Sequence, residues 1–202
     1  ALKNGALYCW GYNGNGMVGD NSVTSRWMPT AVVGMSSGVT DVSAGYYNTC
    51  AVKNGAAWCW GYNGNGQLGD GTVTQRQVPV AVVDSAAGMT FASGVWDVES
   101  SDYDPGYTCF TKQSGRIYCT GANAQGQLGT GNATEFNKPT APSLFPGTVT
   151  ASALGRYHTC VIMDARVSCI GYNINGELGN AANTSTSTVL ATQTAFGNPS
   201  GA

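Results

Sequence analysis

Seven cysteines are the residues in this sequence best equipped for chemistry. Six of them fall into pairs of nearly equal span: Cys50 with Cys59, Cys109 with Cys119, and Cys160 with Cys169. Thiols in pairs can ligate a metal, oxidise to disulfides, or stay reduced in a core. Structural zinc sites use tight Cys-x₂₋₄-Cys knuckles, often with histidine. Here eight or nine residues intervene, and His158 is the chain's one histidine. Disulfides fit better. Asn54-Gly55 lies between two apolar runs, the strongest short signal for a type I′ hairpin. Counting outward from that turn sets Lys53 opposite Ala56 and Cys50 opposite Cys59. Opposed Cβ atoms on paired strands lie about 4.5–5.5 Å apart, and less in non-hydrogen-bonded pairs, where a bridge becomes possible. Asp164-Ala165 sets Cys160 opposite Cys169 in the same way, and the Cys109–Cys119 hairpin has one residue more, through Ser114-Gly115. Disulfides imply an oxidising, extracellular or cell-surface location. Reflecting Cys9 about Asn4-Gly5 puts its partner one position before Ala1, so Cys9 is expected to be unpaired or linked to another chain.

The remaining chemistry is thin. A single histidine leaves no triad and no metal cluster, so neither a catalytic site nor a metal or cofactor is expected. Gly14-Asn15-Gly16-Met17-Val18-Gly19 and Gly64-Asn65-Gly66-Gln67-Leu68-Gly69 match G-x-G-x-x-G. A dinucleotide site needs that loop between a strand and a helix. No helical periodicity follows either copy, so both read as turns. Asp97, Glu99, Asp102 and Asp104 cluster with Trp96, Tyr103 and Tyr107. Their spacing does not match an EF-hand loop. They read as a solvated loop, or as a partner-binding or cation-binding loop, because long loops in compact domains are often functional.

Repetition supplies the elements that position these residues. Cys9-Trp10-Gly11-Tyr12-Asn13 recurs as Cys59-Trp60-Gly61-Tyr62-Asn63, with further copies at Cys119-Thr120-Gly121-Ala122-Asn123 and Cys169-Ile170-Gly171-Tyr172-Asn173. The period is about 50 residues, with a ten-residue insertion placed within Asp84 to Pro105. Short alternating strands separated by Gly-rich turns, about four per period, fit the blades of a β-propeller. The fold expected is all-β, a propeller or partial propeller. It forms a single repeat domain over 1–202, with units near 1–39, 40–94, 95–147 and 148–202. Pro79 suggests an edge strand, and Thr188 to Thr192 matches that strand in the last unit. Charged residues are only 10% of the 202 and the formal net charge is −2, which argues against nucleic acid as a partner. No apolar run approaches the roughly 20 residues of a membrane span.

The pattern resembles the regulator of chromosome condensation repeat family. It is carried by Val42-Ser43-Ala44-Gly45, Thr49-Cys50-Ala51-Val52, Trp60-Gly61-Tyr62-Asn63 and Gly66-Gln67-Leu68-Gly69-Asp70-Gly71. Cysteine-paired copies look like those of secreted bacterial members, among them an inhibitor of β-lactamases. The resemblance implies a β-propeller, most often of seven blades, that binds proteins through side chains on one face. The matching positions follow each Ala-Gly or Leu-Gly pair: Tyr46, Tyr47 and Asn48, then Arg156, Tyr157 and His158, with Tyr107 in the repeat between. Trp10 and Trp60 are expected to pack between blades. The function expected is a non-enzymatic extracellular module for protein–protein interaction. The alternative is a structural subunit of a surface assembly or filament, completed by strand pairing with a neighbouring chain. The partner is then another protein or copies of the chain itself.

Overall fold

The computed structural model describes residues 1–84, 91 and 93–180, together with the backbone of 192–193. Strands β1 (Leu2–Lys3), β2 (Ala6–Gly11) and β3 (Arg26–Ala31) form the first sheet. The second holds β4 (Val39–Ala44), β5 (Asn48–Lys53), β6 (Ala56–Gly61) and β7 (Arg76–Ala81). The third holds β8 (Val95–Ser100), β9 (Tyr107–Lys112), β10 (Ile117–Gly121) and β11 (Phe136–Thr140). The fourth holds β12 (Val149–Leu154), β13 (His158–Met163), β14 (Arg166–Gly171) and β15 (Thr192–Gln193). Each sheet is an antiparallel meander in chain order, and the described residues contain no helix. The expected strand from Thr188 to Thr192 lies outside the described residues, apart from the backbone of Thr192.

Turn chemistry sets the register. Asn54 and Gly55 sit at φ 50° and 75°, the left-handed pair a type I′ turn requires. Cys50 then faces Cys59, Cys109 faces Cys119 and Cys160 faces Cys169. All three pairs are disulfide-bonded, with Cα atoms 4.1 Å apart, and Cys9 is free.

Each Gly-rich loop is pinned by one buried asparagine. Asn63 Oδ1 accepts from the Leu68 amide at 3.0 Å, and its Nδ2 donates to Asp70 and to the carbonyls of Thr72 and Thr74. Asn13, Asn123 and Asn173 hold Val18, Leu128 and Leu178 in the same way. The loop so shaped lies on the next blade. At Gly66, φ is +80° and an added Cβ would stand 2.6 Å from Asn137 Cα, so only glycine fits.

Blades join through one recurring position. Trp60 is fully buried there, and its indole N–H donates to the Met17 carbonyl of the preceding blade at 2.7 Å. Thr120 and Ile170 take the same place, Thr120 by donating to the Gly66 carbonyl at 2.9 Å and Ile170 by apolar packing. The inner strands also meet. Asp41 accepts from the Val98 amide and Ser43 from the Ser100 amide. From each connecting loop one large side chain, Met35, Phe91 or Phe145, is buried against its blade.

Two expectations need correction. The ten extra residues do not form one insertion within 84–105: six precede β8, three lie between β8 and β9, and one sits in the β9–β10 turn. Trp10 does not pack as Trp60 does. It is 50% exposed, because no blade within the described chain covers that flank.

Candidate functional site

The turns joining the first two strands of each complete blade emerge together at one end of the sheets. Gly45 N–H donates to the Asn48 carbonyl at 2.8 Å, which closes a four-residue turn with Tyr46 and Tyr47 at its tip. Gly155 and His158 close the same turn at 2.9 Å around Arg156 and Tyr157. In the third blade the closing bond runs from Ser101 N–H to the Tyr107 carbonyl. That loop is three residues longer and carries Tyr103. The loops are also tied to each other, since the Tyr46 amide donates to the Ser101 carbonyl at 3.1 Å.

The rings form a continuous arc over three blades. Tyr62 meets Tyr47 at 6.1 Å between centroids, Tyr47 meets Tyr46 at 4.3 Å, and Tyr46 stacks on Tyr103 at 6.0 Å. Tyr103 meets Tyr157 at 6.3 Å, and Tyr157 meets Tyr172 at 6.1 Å. The Arg156 guanidinium lies 3.6 Å from the Tyr103 ring and 4.7 Å from the Tyr157 ring. A cation over two ring faces gains from both quadrupoles, and it locks the long loop of the third blade to the turn of the fourth. Hydrogen bonding to Tyr46 is the main cause of the raised pKa of Tyr47, so the Tyr47 phenol stays neutral at physiological pH. Tyr46 and Tyr103 are 51% and 39% exposed, enough for a partner to reach them.

Four expected contact residues lie elsewhere. Asn48 is buried, and its amide donates to the hydroxyls of Ser100 and Thr108 in the next blade. Tyr107 is fully buried. Its hydroxyl donates to the His158 carbonyl at 2.6 Å and accepts from Thr159. His158 is half-buried, with its ring folded over Gly155. Trp96 is exposed, but it starts β8 while the arc stands at the other end, roughly 15 Å away along the strand. For Asn48 and Tyr107 the physical reason is blade packing: the residue just inside the turn points into the neighbouring blade.

Tyr62 and Tyr172 were not singled out by sequence. They looked like repeat punctuation, yet the hairpin register contains the signal. Gly61 pairs with Asn48 and Gly171 with His158, so the next residues meet the turn tips. Their amides donate to the carbonyls of Tyr47 and Tyr157. The acidic cluster is also divided. Asp102 and Asp104 are exposed beside Tyr103, whereas Asp97 and Glu99 are half-buried on β8. Burial, then the charge of Asp41, holds Asp97 above the usual carboxylate range, and burial then Asp97 does the same for Glu99. Among the described residues, no group of three or more His, Cys, Asp or Glu side chains could hold a metal ion, and no helix is long and apolar enough to cross a membrane.

Four-stranded blades, asparagine-pinned Gly-rich loops and side-chain-bearing turns at one end define a β-propeller repeat protein. The family model for the regulator of chromosome condensation (RCC1) repeat matches residues 4–52, 54–96 and 114–162, and a second RCC1 repeat model matches 39–67. The chain belongs to this repeat family. The stretch 97–113, outside those matches, contains the long loop with Tyr103. No curated protein matches the sequence. Among solved structures, human WBSCR16 superposes with a TM-score of 0.73 at 21% identity, over 90% of this chain and 46% of that one. Yeast RCC1 (Prp20), solved bound to Kap60, gives 0.72 at 16% identity, over 94% and 44%. Prp20p from Saccharomyces cerevisiae, described with its binding to Gsp1p and histones, gives 0.65 at 18%, over 84% and 40%. The chain therefore spans less than half the length of each.

Proposed function

We propose that this chain is a non-enzymatic, extracellular protein-binding module and that the tyrosine arc is its contact surface. The observation that carries the reading is continuity: six tyrosines and Arg156, from three blades, form one aromatic surface at the exposed turns. Tyr and Arg are enriched where binding energy concentrates, and Tyr supplies large amphipathic area with only two side-chain torsions to fix. Propellers of this family act on proteins, as the Kap60 complex of yeast RCC1 illustrates. Three disulfides support an oxidising compartment. The test uses immobilised chain exposed to the secreted proteins of its producing cells. A bound species retained by the native chain and by Trp96→Ser, but reduced more than tenfold by the double variant Tyr46→Ser/Tyr103→Ser, supports the arc. Equal loss with Trp96→Ser refutes it. A thiol count on denatured, unreduced chain should give one, from Cys9. Seven would overturn the compartment.

A second reading is a structural subunit that assembles head to tail. It is favoured by an exposed apolar pair: Trp10 and Trp27 are 50% and 92% exposed. Heterologous contacts of this kind build rings or filaments. Light scattering should then show polymers that Trp27→Asp dissolves.

A further inference from the structure

The boundary between the third and fourth blades is polar where the preceding boundary is apolar. Between the second and third blades, Val52 and Val98 are buried in one apolar cluster. The polar residues beside them are satisfied, Asp41 by the Val98 amide and Ser43 by the Ser100 amide. One blade on, Asp97 stands opposite Thr111 as Asp41 stands opposite Val52. Glu99 stands opposite Cys109 as Ser43 stands opposite Cys50. On β12, Ser152 holds the place that Val98 holds on β8. Two carboxylates and two hydroxyls thus replace one carboxylate, one hydroxyl and two valines. The new hydroxyls have no partner. Thr111 is fully buried and its Oγ1 makes no hydrogen bond, and Ser152 Oγ is likewise buried and unpaired. Both lie beside the Asp97 carboxyl. Buried polar atoms are nearly always satisfied, so two orphans at one spot call for a bound ion or water.

We infer that the third and fourth blades hold a calcium ion between them, on the carboxylates of Asp97 and Glu99 and the hydroxyls of Thr111 and Ser152. The donors are all oxygens, which selects hard cations over transition metals. Cys109, on the same face, is bonded to Cys119 and offers no thiolate. Two ionised carboxylates balance a charge of two, and the ion removes the repulsion between them. Magnesium demands a near-ideal octahedron, whereas calcium accepts six to eight oxygens in flexible geometry, with water completing the set. Asp41 stays with the Val98 amide and adds negative field without serving as a ligand. Among the described residues no third acidic side chain joins the pair, so the expected Kd is about 10⁻⁴–10⁻³ M, the range of extracellular calcium modules. The site does not depend on what the tyrosine arc contacts. It would nevertheless tie β8 to β12, the two strands whose following turns carry Tyr103 and Arg156.

Equilibrium dialysis of the full chain against radioactive calcium, at neutral pH in physiological salt, is the test. One ion should bind per chain. The double variant Thr111→Val/Ser152→Val restores the valines of the preceding boundary and should bind at least tenfold more weakly, as should Asp97→Asn. Glu99→Ser, which restores the serine of that boundary, answers the same question should the double variant fail to fold. Asp102→Asn/Asp104→Asn, at exposed positions of the long loop, should bind as the native chain does. Thermal melts give a second readout. In chelator Asp97→Asn should melt above the native chain, because repulsion is relieved, and in saturating calcium the order should reverse, because only the native chain gains the ion. No bound calcium, the outcome if water alone bridges the hydroxyls, would overturn the inference. So would binding that the double variant and Glu99→Ser leave unchanged, or that Asp102→Asn/Asp104→Asn abolishes.

Discussion

Tyr107 ties the third blade to the fourth, and replacing it with phenylalanine isolates that tie. The ring is fully buried and remains in the variant, so no cavity cost arises. What is lost is the hydroxyl, which donates to the His158 carbonyl at 2.6 Å and accepts from Thr159 at 3.1 Å. One net hydrogen bond is worth about 1 kcal/mol, and a stranded buried partner costs about 1–3 more. Here the lower end applies. The His158 carbonyl keeps the Gly155 amide at 2.9 Å, and the single hydroxyl proton of Thr159, shared in the native chain between Tyr107 and Gln127, goes wholly to the Gln127 carbonyl at 2.7 Å. The sum is about 1.5–2 kcal/mol, which raises the opening constant of the last blade roughly ten- to thirtyfold. Burial pushes the phenol pKa up, so the donor persists throughout the working pH range. Hydrogen exchange read by mass spectrometry is the assay. Amides of β13 and β14 should exchange ten- to thirtyfold faster while those of β5 and β6 hold, because repeats feel mainly their neighbours. A uniform acceleration across all blades, or less than a threefold change in β13, would refute the reasoning.

Asp97→Asn should raise Tm at pH 7, because it removes a half-buried charge that faces Asp41 and Glu99. Since the folded-state pKa is raised, native stability climbs as pH falls from neutral toward about 4, and the gap between variant and native should close over that range in pH-dependent thermal melts. Asp70 behaves oppositely. Burial alone would raise its pKa, but bonds from Thr72 and Arg76 outweigh that and hold it low. Its contribution is present above about pH 4 and is lost as pH falls through the lowered value, so Asp70→Ala should cost about 1–2 kcal/mol in urea titrations at pH 7 and progressively less in acid. Ala165 sits at φ 62°, where a Cβ is strained, so Ala165→Gly should gain about 0.5–1 kcal/mol; a loss in the same titration would mean the turn is not strained.

Hairpin register, the disulfide pairing and the odd status of Cys9 were all legible in the residues. A two-residue turn dictates every opposition along its strands, so Asn54-Gly55 alone places Cys50 against Cys59. The Gly-rich loops were equally legible as turns, since no helix follows them. Side-chain direction at the turn tips was not. Tyr46 and Asn48 are two residues apart and look alike as contact residues, yet one is exposed and the other bonds Ser100 and Thr108.

That difference comes from how blades are rotated against each other, a long-range property. Packing at Trp60, Thr120 and Ile170 sets it, and chemically unlike side chains do the same job there, so no local pattern announces it. Local turn chemistry, repeat period and sulfur spacing thus belonged to the sequence alone. Only the tertiary structure decided that tyrosines from three separate blades share one surface and that Tyr107 lies beneath it. Contacts across blades link residues some 50 positions apart, and these depend on geometry that neighbouring residues do not encode.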